Sequence, residues 1–293
     1  MKSKYSFRKS KIFSTVSFVV LFVYTLTLLI PLFWAFYSAF KDFMEFPRNI
    51  IGFPKTWVMS NWSDAFNILA IPIDTPTGSR SVYAVEMLLN SVIYSFGATL
   101  VSTATQAVVA YCVAKYRFKF GKILYSVVII TMLLPIVGAL PSEIQMARTL
   151  GFYDNILGVF VMKSYFGGQN FLIMYATFVG IPWTYAESAQ IDGAGDFTIF
   201  IRIMLPLAIA SVVAVAILLF INYWNEYYTP MIYLPSMPTI AYGLYKFSFS
   251  PDNASTVPVQ LAGCFIVCIP ILIVFATFQK KIMGNVAIGG IKG

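Results

Sequence analysis

Across 293 residues, 59% of side chains are hydrophobic and only 11% are charged, less than half of the roughly 25% charged content of an average soluble domain. With a mean hydropathy of +0.77, most of the chain needs lipid as its solvent, and no segment of soluble-domain size is left over. The formal net charge is +8 and histidine is absent, which removes the commonest general base and metal ligand.

Uncharged runs at 13–40, 87–114, 123–142, 164–186, 203–225 and 253–279 each reach the length of about 20 apolar residues that a membrane-spanning helix needs. Six spans are expected. The first exceeds a signal-peptide core and lacks a small-residue cleavage site, so it is read as a true transmembrane helix. It follows a basic segment, 1–12, carrying Lys2, Lys4, Arg8, Lys9 and Lys11. Segment 115–122 between spans two and three carries Lys115, Arg117, Lys119 and Lys122. Together with Arg202 and the tail lysines Lys280, Lys281 and Lys292, these hold thirteen of the twenty basic residues. The alternate loops, 41–86, 143–155 and 226–252, hold six basic and nine acidic residues. The positive-inside rule therefore places both termini in the cytoplasm. It also accounts for the net charge without nucleic acid.

Cys112, Cys264 and Cys268 fall in apolar spans and read as small hydrophobes rather than a disulfide or metal set. Lys163 is the one ionisable residue well inside an apolar run, with Gly167-Gly168 beside it suggesting a helix break. Such a charge either serves function or snorkels to the outer interface. Asn222, Trp224 and Asn225 near the outer end of span five, with Tyr223 between them, and Gln169 and Asn170 in span four have the aromatic and amide chemistry that holds a sugar. Equally, they suit a membrane-interface belt or helix-to-helix hydrogen bonds. The spans themselves carry no acidic residue.

The loop between spans four and five is short and polar. Thr184 and Glu187 have capping-box spacing for a helix start, and Gly193 suits a left-handed stop about two turns later. Ala186, Ser188, Ala189 and Ala194 give this helix small side chains, as close approach by another surface requires. Gly195 and Asp196 allow a second helix start, expected to run to Pro206, whose ring disfavours helical geometry at Leu205. A rigid elbow is expected. No phosphate loop of GxxxxGK[ST] form and no Gly-x-Ser-x-Gly elbow occurs, so neither ATP hydrolysis nor acyl transfer is placed on this chain.

The block Glu187-Ser-Ala189-Gln-Ile-Asp192-Gly193-Ala194, followed by Ile203-Met204-Leu205-Pro206, resembles the EAA loop of ABC importer permeases, with Ser188 where that family commonly has alanine. The rest of the chain resembles the carbohydrate-type, maltose-permease group, specifically the shorter of its two sister subunits. The matching stretches are Asn90-Ser91, Met132-Leu133-Leu134-Pro135, Leu150-Gly151-Phe152-Tyr153-Asp154-Asn155, Trp224-Asn225-Glu226 and the tail Phe278-Gln279-Lys280-Lys281 with Gly284, Gly289-Gly290-Ile291-Lys292-Gly293.

The resemblance implies an all-α polytopic membrane protein with six transmembrane helices of the type I ABC importer permease fold. Its organisation is a basic N-terminus 1–12, a permease domain 13–279 with its coupling loop at 183–204, and a cytoplasmic tail 280–293. It implies half of a sugar pathway in a bacterial plasma (inner) membrane. The partners implied are a sister permease, an extracytoplasmic sugar-binding lipoprotein and a cytoplasmic ATPase dimer. ATP and Mg are expected on that ATPase and no cofactor on this chain. Glu187, Ser188, Ala189, Asp192, Gly193 and Ala194 are the expected ATPase-coupling residues, and Gly289, Gly290 and Lys292 the expected tail contacts. The alternatives are a permease of the same fold for a non-sugar solute, such as amino acids, peptides or an anion, and an intramembrane enzyme or ion-driven carrier, which would need acids or histidines inside the spans.

Overall fold

A computed structural model describes residues 2–75, 78–116, 118–134, 138–249 and 256–286. It divides into two compact units, one running up to Leu69 and including Phe247–Ile266, the other comprising Ala70–Lys246 and the residues from Val267 onward.

In the first unit, α1 (Lys2–Ser38) leads through Pro31 to a folded loop and α2 (Ser60–Ile68). Helix is the natural form for its apolar run, because lipid offers no partner for unpaired backbone groups. The loop is tied by side chains to backbone. The indole of Trp34 donates to the Ile50 carbonyl at 2.7 Å, and buried Lys41 donates to the carbonyls of Asn49 and Ile50 at 2.7 and 2.9 Å. Burial pushes the Lys41 ammonium below its ordinary value. The amide of Asn61 donates to the carbonyls of Ala39 and Lys41 at 2.9 and 2.8 Å.

The second unit opens with a hairpin that the all-α expectation missed. Strands β1 (Ala70–Thr75) and β2 (Gly78–Tyr83) pair antiparallel from Ala70↔Tyr83 to Thr75↔Gly78. Ile71, Ile73 and Val82 are buried along it. Then come α3 (Ala84–Lys115), α4 (Lys119–Leu133), α5 (Leu140–Thr149), α6 (Ile156–Lys163), α7 (Gly168–Gly180), α8 (Thr184–Ile191), α9 (Asp196–Ile199), α10 (Leu205–Asn225), α11 (Tyr228–Tyr233), α12 (Ile240–Phe249) and α13 (Val257–Val286), the last two running across the division between the units.

Among the described residues, four helical stretches are long and apolar enough to cross a membrane: Phe13–Ser38, Ala84–Lys115, Asp196–Asn225 and Val257–Thr277. The expected third and fourth spans are shorter and broken. Helix α4 has 15 residues and α7 has 13, below the length of about 20 for a full crossing. The breaks have a common cause: a residue preceding proline is pushed out of the helical region. Leu134, before Pro135, has ψ 118, and Ile181, before Pro182, has ψ 125. Gly168 at φ +83 marks the break expected at Gly167-Gly168.

Pro206 behaves differently. Leu205 is helical at φ −66, ψ −45, and a π-turn over Phe200–Met204 joins α9 to α10 in one run, Asp196–Asn225. The elbow expected there does not form, because the wide turn relieves the clash a proline ring makes with the carbonyl of the preceding turn.

The core of this unit sits where α3, α7 and α10 pack. Ala107 and Ala110 of α3 face Phe171, Met174 and Phe178 of α7 and Ala208, Val212 and Val215 of α10 in one buried cluster. Ser95, Thr99 and Ser102 are buried on the same helix, and small side chains of this kind let membrane helices approach closely.

Candidate coupling surface and buried polar network

Helix α8 is eight residues long, the two turns expected. Its start differs from the expectation. Trp183, not Thr184, precedes the first helical residue, and no side chain caps the end. Thr184 is already inside the helix, where its carbonyl accepts from the Ser188 hydroxyl at 2.9 Å, so the capping box is absent. Pro182 supplies the stop to α7 that makes the cap unnecessary as a boundary signal.

The end of α8 follows the expectation. Gly193 lies at φ +81. Its N–H donates to the Gln190 carbonyl at 3.0 Å, and that of Ala194 reaches back to the Ala189 carbonyl at 2.9 Å. These are the paired bonds of a Schellman stop, which needs a left-handed residue at this place. Gly195 is extended at φ −76, ψ 161, and Asp196 opens the next helix.

The small residues of α8 divide between two faces. Ala186 and Ala189 are buried in the α3–α7–α10 core and Ala194 packs against it, so they seat the helix on its own protein rather than leave room for a partner. The outward face of α8 and the turn after it carries Glu187, Ser188, Asp192 and Gly193, with two large apolar side chains not singled out from sequence, Ile191 at the end of α8 at 87% exposure and Phe197 at the start of α9 at 78%. Exposed apolar side chains beside acids make a docking chemistry.

A second polar site lies among α3, α6, α10 and α11. The Lys163 ammonium donates to both Glu226 carboxylate oxygens, at 2.7 and 2.9 Å, and to the Thr229 hydroxyl at 2.9 Å, while standing 5.2 Å from the centre of the Tyr223 ring. The Tyr94 hydroxyl donates to Glu226 at 2.6 Å, and Thr229 donates to the same carboxylate. Ser102 donates to the Lys163 carbonyl at 2.6 Å and shares a 2.7 Å bond with the Tyr223 hydroxyl. Both charged side chains are largely buried, 19% and 23% exposed. Lys163 is thus neither a free intramembrane charge nor a snorkelling one: it is internally neutralised. The partner was missed because Glu226 stands one residue past the end of α10 and reads as a loop acid; only Lys163 in an apolar run hinted that an acid must exist elsewhere.

Two of the motif stretches converge on the connection between α11 and α12. The Asn90 amide donates to the Pro238 carbonyl at 3.0 Å, and the Ser91 hydroxyl accepts from the Ile240 N–H at 2.8 Å. From the Leu150–Asn155 turn, Asp154 accepts from the Ser236 hydroxyl and N–H at 2.6 and 3.0 Å. Asp154 holds φ 53, a left-handed setting that Asp tolerates. The next residue, Asn155, caps α6 by accepting from Leu157 N–H at 3.0 Å.

The sugar-pathway candidates do not assemble into one site. Trp224 is buried, and its indole N–H donates to the Val267 carbonyl at 3.2 Å, so it locks α10 to α13 and offers no free polar edge. Asn225 bonds its own helix at the Ile221 carbonyl, 2.9 Å. Asn222 and Gln169 are exposed and Asn170 half-buried. Among the cysteines, Cys268 is exposed and Cys112 and Cys264 are half-buried, and no disulfide joins them. Gly289, Gly290 and Lys292 lie outside the described residues.

The chain matches relatives along nearly its whole length. It is 25% identical over 280 residues to a diacetylchitobiose uptake system permease protein, NgcG, of Streptomyces coelicolor, covering 94% of this chain and 88% of that one. It is 26% identical over 275 residues to an arabinooligosaccharides transport system permease protein, AraQ, of Bacillus subtilis, covering 92% of each. A crystal structure of a bacterial ABC transporter involved in the import of the acidic polysaccharide alginate contains a chain that superposes with a TM-score of 0.75 at 22% identity, over 93% of this chain and 97% of that one, which establishes likeness of fold. The family model of the binding-protein-dependent transport system inner membrane component matches residues 106–284, a stretch holding α4 to α12, with α8 and the Lys163–Glu226 pair among them, and the chain belongs to that family of permeases.

Proposed function

We propose that this chain is one of two sister permeases of an ATP-driven importer for a sugar or short oligosaccharide, fed by an external binding protein and gripped from the cytoplasm at α8 by an ATPase dimer. The cargo class rests on the relatives, whose names specify diacetylchitobiose and arabinooligosaccharides. An uncharged solute also fits the pairing of Lys163, whose charge is already neutralised by Glu226. ATP and Mg belong to the ATPase. In this reading the spans number six, α4 and α7 completing the set with help from their flanking segments, and both termini are cytoplasmic.

The observation that carries the coupling role is the outward face of α8. The seated helix, its left-handed stop and the start of α9 present Glu187, Asp192, Ile191 and Phe197 to solvent, and force passes through such a knob only if its contacts differ between two states of the motor. Glu187 supplies the charge expected opposite basic ATPase residues. The tail from residue 284 onward is a second contact, with Gly289, Gly290 and Lys292 ordering against the ATPase pair.

Ile191→Asp tests this, because Ile191 touches little of its own chain. In proteoliposomes with the sister permease, ATPase and binding protein, the variant should insert and melt as wild type yet lose ATP-driven uptake. Normal uptake with normal stimulation of ATP hydrolysis would remove α8 from coupling. Sugar uptake by this chain and the ATPase without a second permease would remove the heterodimer.

A further inference from the structure

We propose that the cleft between the basic end of α3 and the start of α4 binds the phosphate headgroup of an anionic phospholipid. The cleft has a volume of about 1070 Å³, and Lys115, Lys119 and Lys122 line it together with Tyr116, Trp183 and Glu187. Three cations face one carboxylate, so the occupant they favour is an anion.

The position selects a lipid anion. Lys115 ends an apolar helix of 32 residues and Lys119 begins the next apolar one, so all three ammonium groups sit where hydrocarbon gives way to water. Headgroups occupy that plane, and each Lys near a surface of anionic lipid adds about 1 kcal/mol of attraction, or about a fivefold change in binding. Tyr116 and Trp183 meet edge-to-face with ring centres 6.0 Å apart, the amphipathic aromatics that collect at this depth.

The floor of the cleft is fixed. Lys115 donates to the Ile181 carbonyl, one of the acceptors freed where Pro182 ends α7, which leaves its remaining N–H groups and the exposed Lys119 and Lys122 for a ligand. Beside the mouth, Phe120, Ile123, Val127 and Ile130 form an exposed apolar stripe along α4. A headgroup in the cleft therefore has a track for its acyl chains, which free phosphate would not use.

Glu187 of α8 borders this cleft as well as the proposed coupling face, so lipid retention is read without any ATPase and its failure is distinguishable from a failure of coupling. Full-length chain is transferred from detergent into nanodiscs of mixed phosphatidylglycerol and phosphatidylcholine, and retained lipid is counted by native mass spectrometry. Wild type should retain phosphatidylglycerol selectively, and Lys119→Gln with Lys122→Gln should weaken retention roughly 25-fold, while Lys55→Gln with Arg80→Gln leaves it unchanged. A light-activated phosphatidylglycerol should crosslink wild type within 113–123, a readout that survives even if the double variant fails to fold. Equal retention by wild type and the cleft variant, equal retention of phosphatidylcholine, or crosslinks confined to other segments would each overturn the proposal. Inorganic phosphate at millimolar concentration displacing the lipid completely would overturn the lipid source in favour of a soluble phosphate.

Discussion

The α8 stop and the Lys163–Glu226 knot are both polar devices of one unit, but they are stabilised in opposite ways. At the stop, a short run of residues does everything: Ala189, Gln190, Gly193 and Ala194 close two backbone bonds, and apart from Gly193 and its chain neighbours no heavy atom lies within 4 Å of where a Gly193 side chain would begin. At the knot, four helices contribute, and every bond crosses from one to another or spans a helix end. The exposed stop is thus built from local geometry and left bare, whereas the knot is fixed by mutually neutralised charges. Disturbing the first should change transport with little loss of fold. Disturbing the second should loosen the frame itself.

The largest effect is expected from Glu226→Ala, which strands the Lys163 ammonium. Removing one member of a buried pair costs about 3–5 kcal/mol; allowing for the residual exposure of both side chains, about 2–3 kcal/mol is expected. In a detergent melt this appears as a fall of roughly 3–5 °C. Lys163→Leu with Glu226→Leu should be closer to wild type than either single change, because no charge is left behind. A double variant less stable than both singles would show that the pair is net stabilising beyond neutralisation.

Gly193→Val comes next, at about 1–2 kcal/mol, because a β-branched residue resists the left-handed setting. With open space around it the cost is backbone alone, so Gly193→Asn should recover most of it. Uptake should fall far more than melting temperature. A large melting loss without an uptake defect would reverse the contrast drawn between stop and knot.

Asn155→Ala removes the one side-chain cap seen on α6 and should cost about 1 kcal/mol, readable as faster amide exchange in the first turn of that helix. The smallest effect is expected from Thr184→Ala. With no side-chain cap at the start of α8, the change should stay within about 0.5 kcal/mol, and a full-sized capping loss of about 1 kcal/mol would reinstate the capping box.

Several features that depend on neighbours in sequence were legible there, though the capping box read at Thr184 and Glu187 does not form. Gly193 as a left-handed stop, the two-turn length of α8 and the break at Gly167-Gly168 all follow from the residues at those positions. Pro206 shows the limit of such reading, since its effect on Leu205 was cancelled by a π-turn that widens the bonding pattern several residues earlier. The hairpin at 70–83 escaped because its alternation is short and its polar strand resembles an outer loop.

By itself, the sequence determined the solvent, the break at Gly167-Gly168, the stop at Gly193 and the motif set of the permease family, because hydropathy and glycine act through local chemistry. Tertiary structure decided the rest. It turned Ala186 and Ala189 inward and Ile191 and Phe197 outward, since the face a helix buries is chosen by what packs against it. It made Trp224 a clamp on Val267 rather than a free aromatic platform. Most of all it paired Lys163 with Glu226 across 63 positions, because the cost of burying a charge sets only that an opposite charge must be near, and the packing of α3, α6, α10 and α11 selects which one it is.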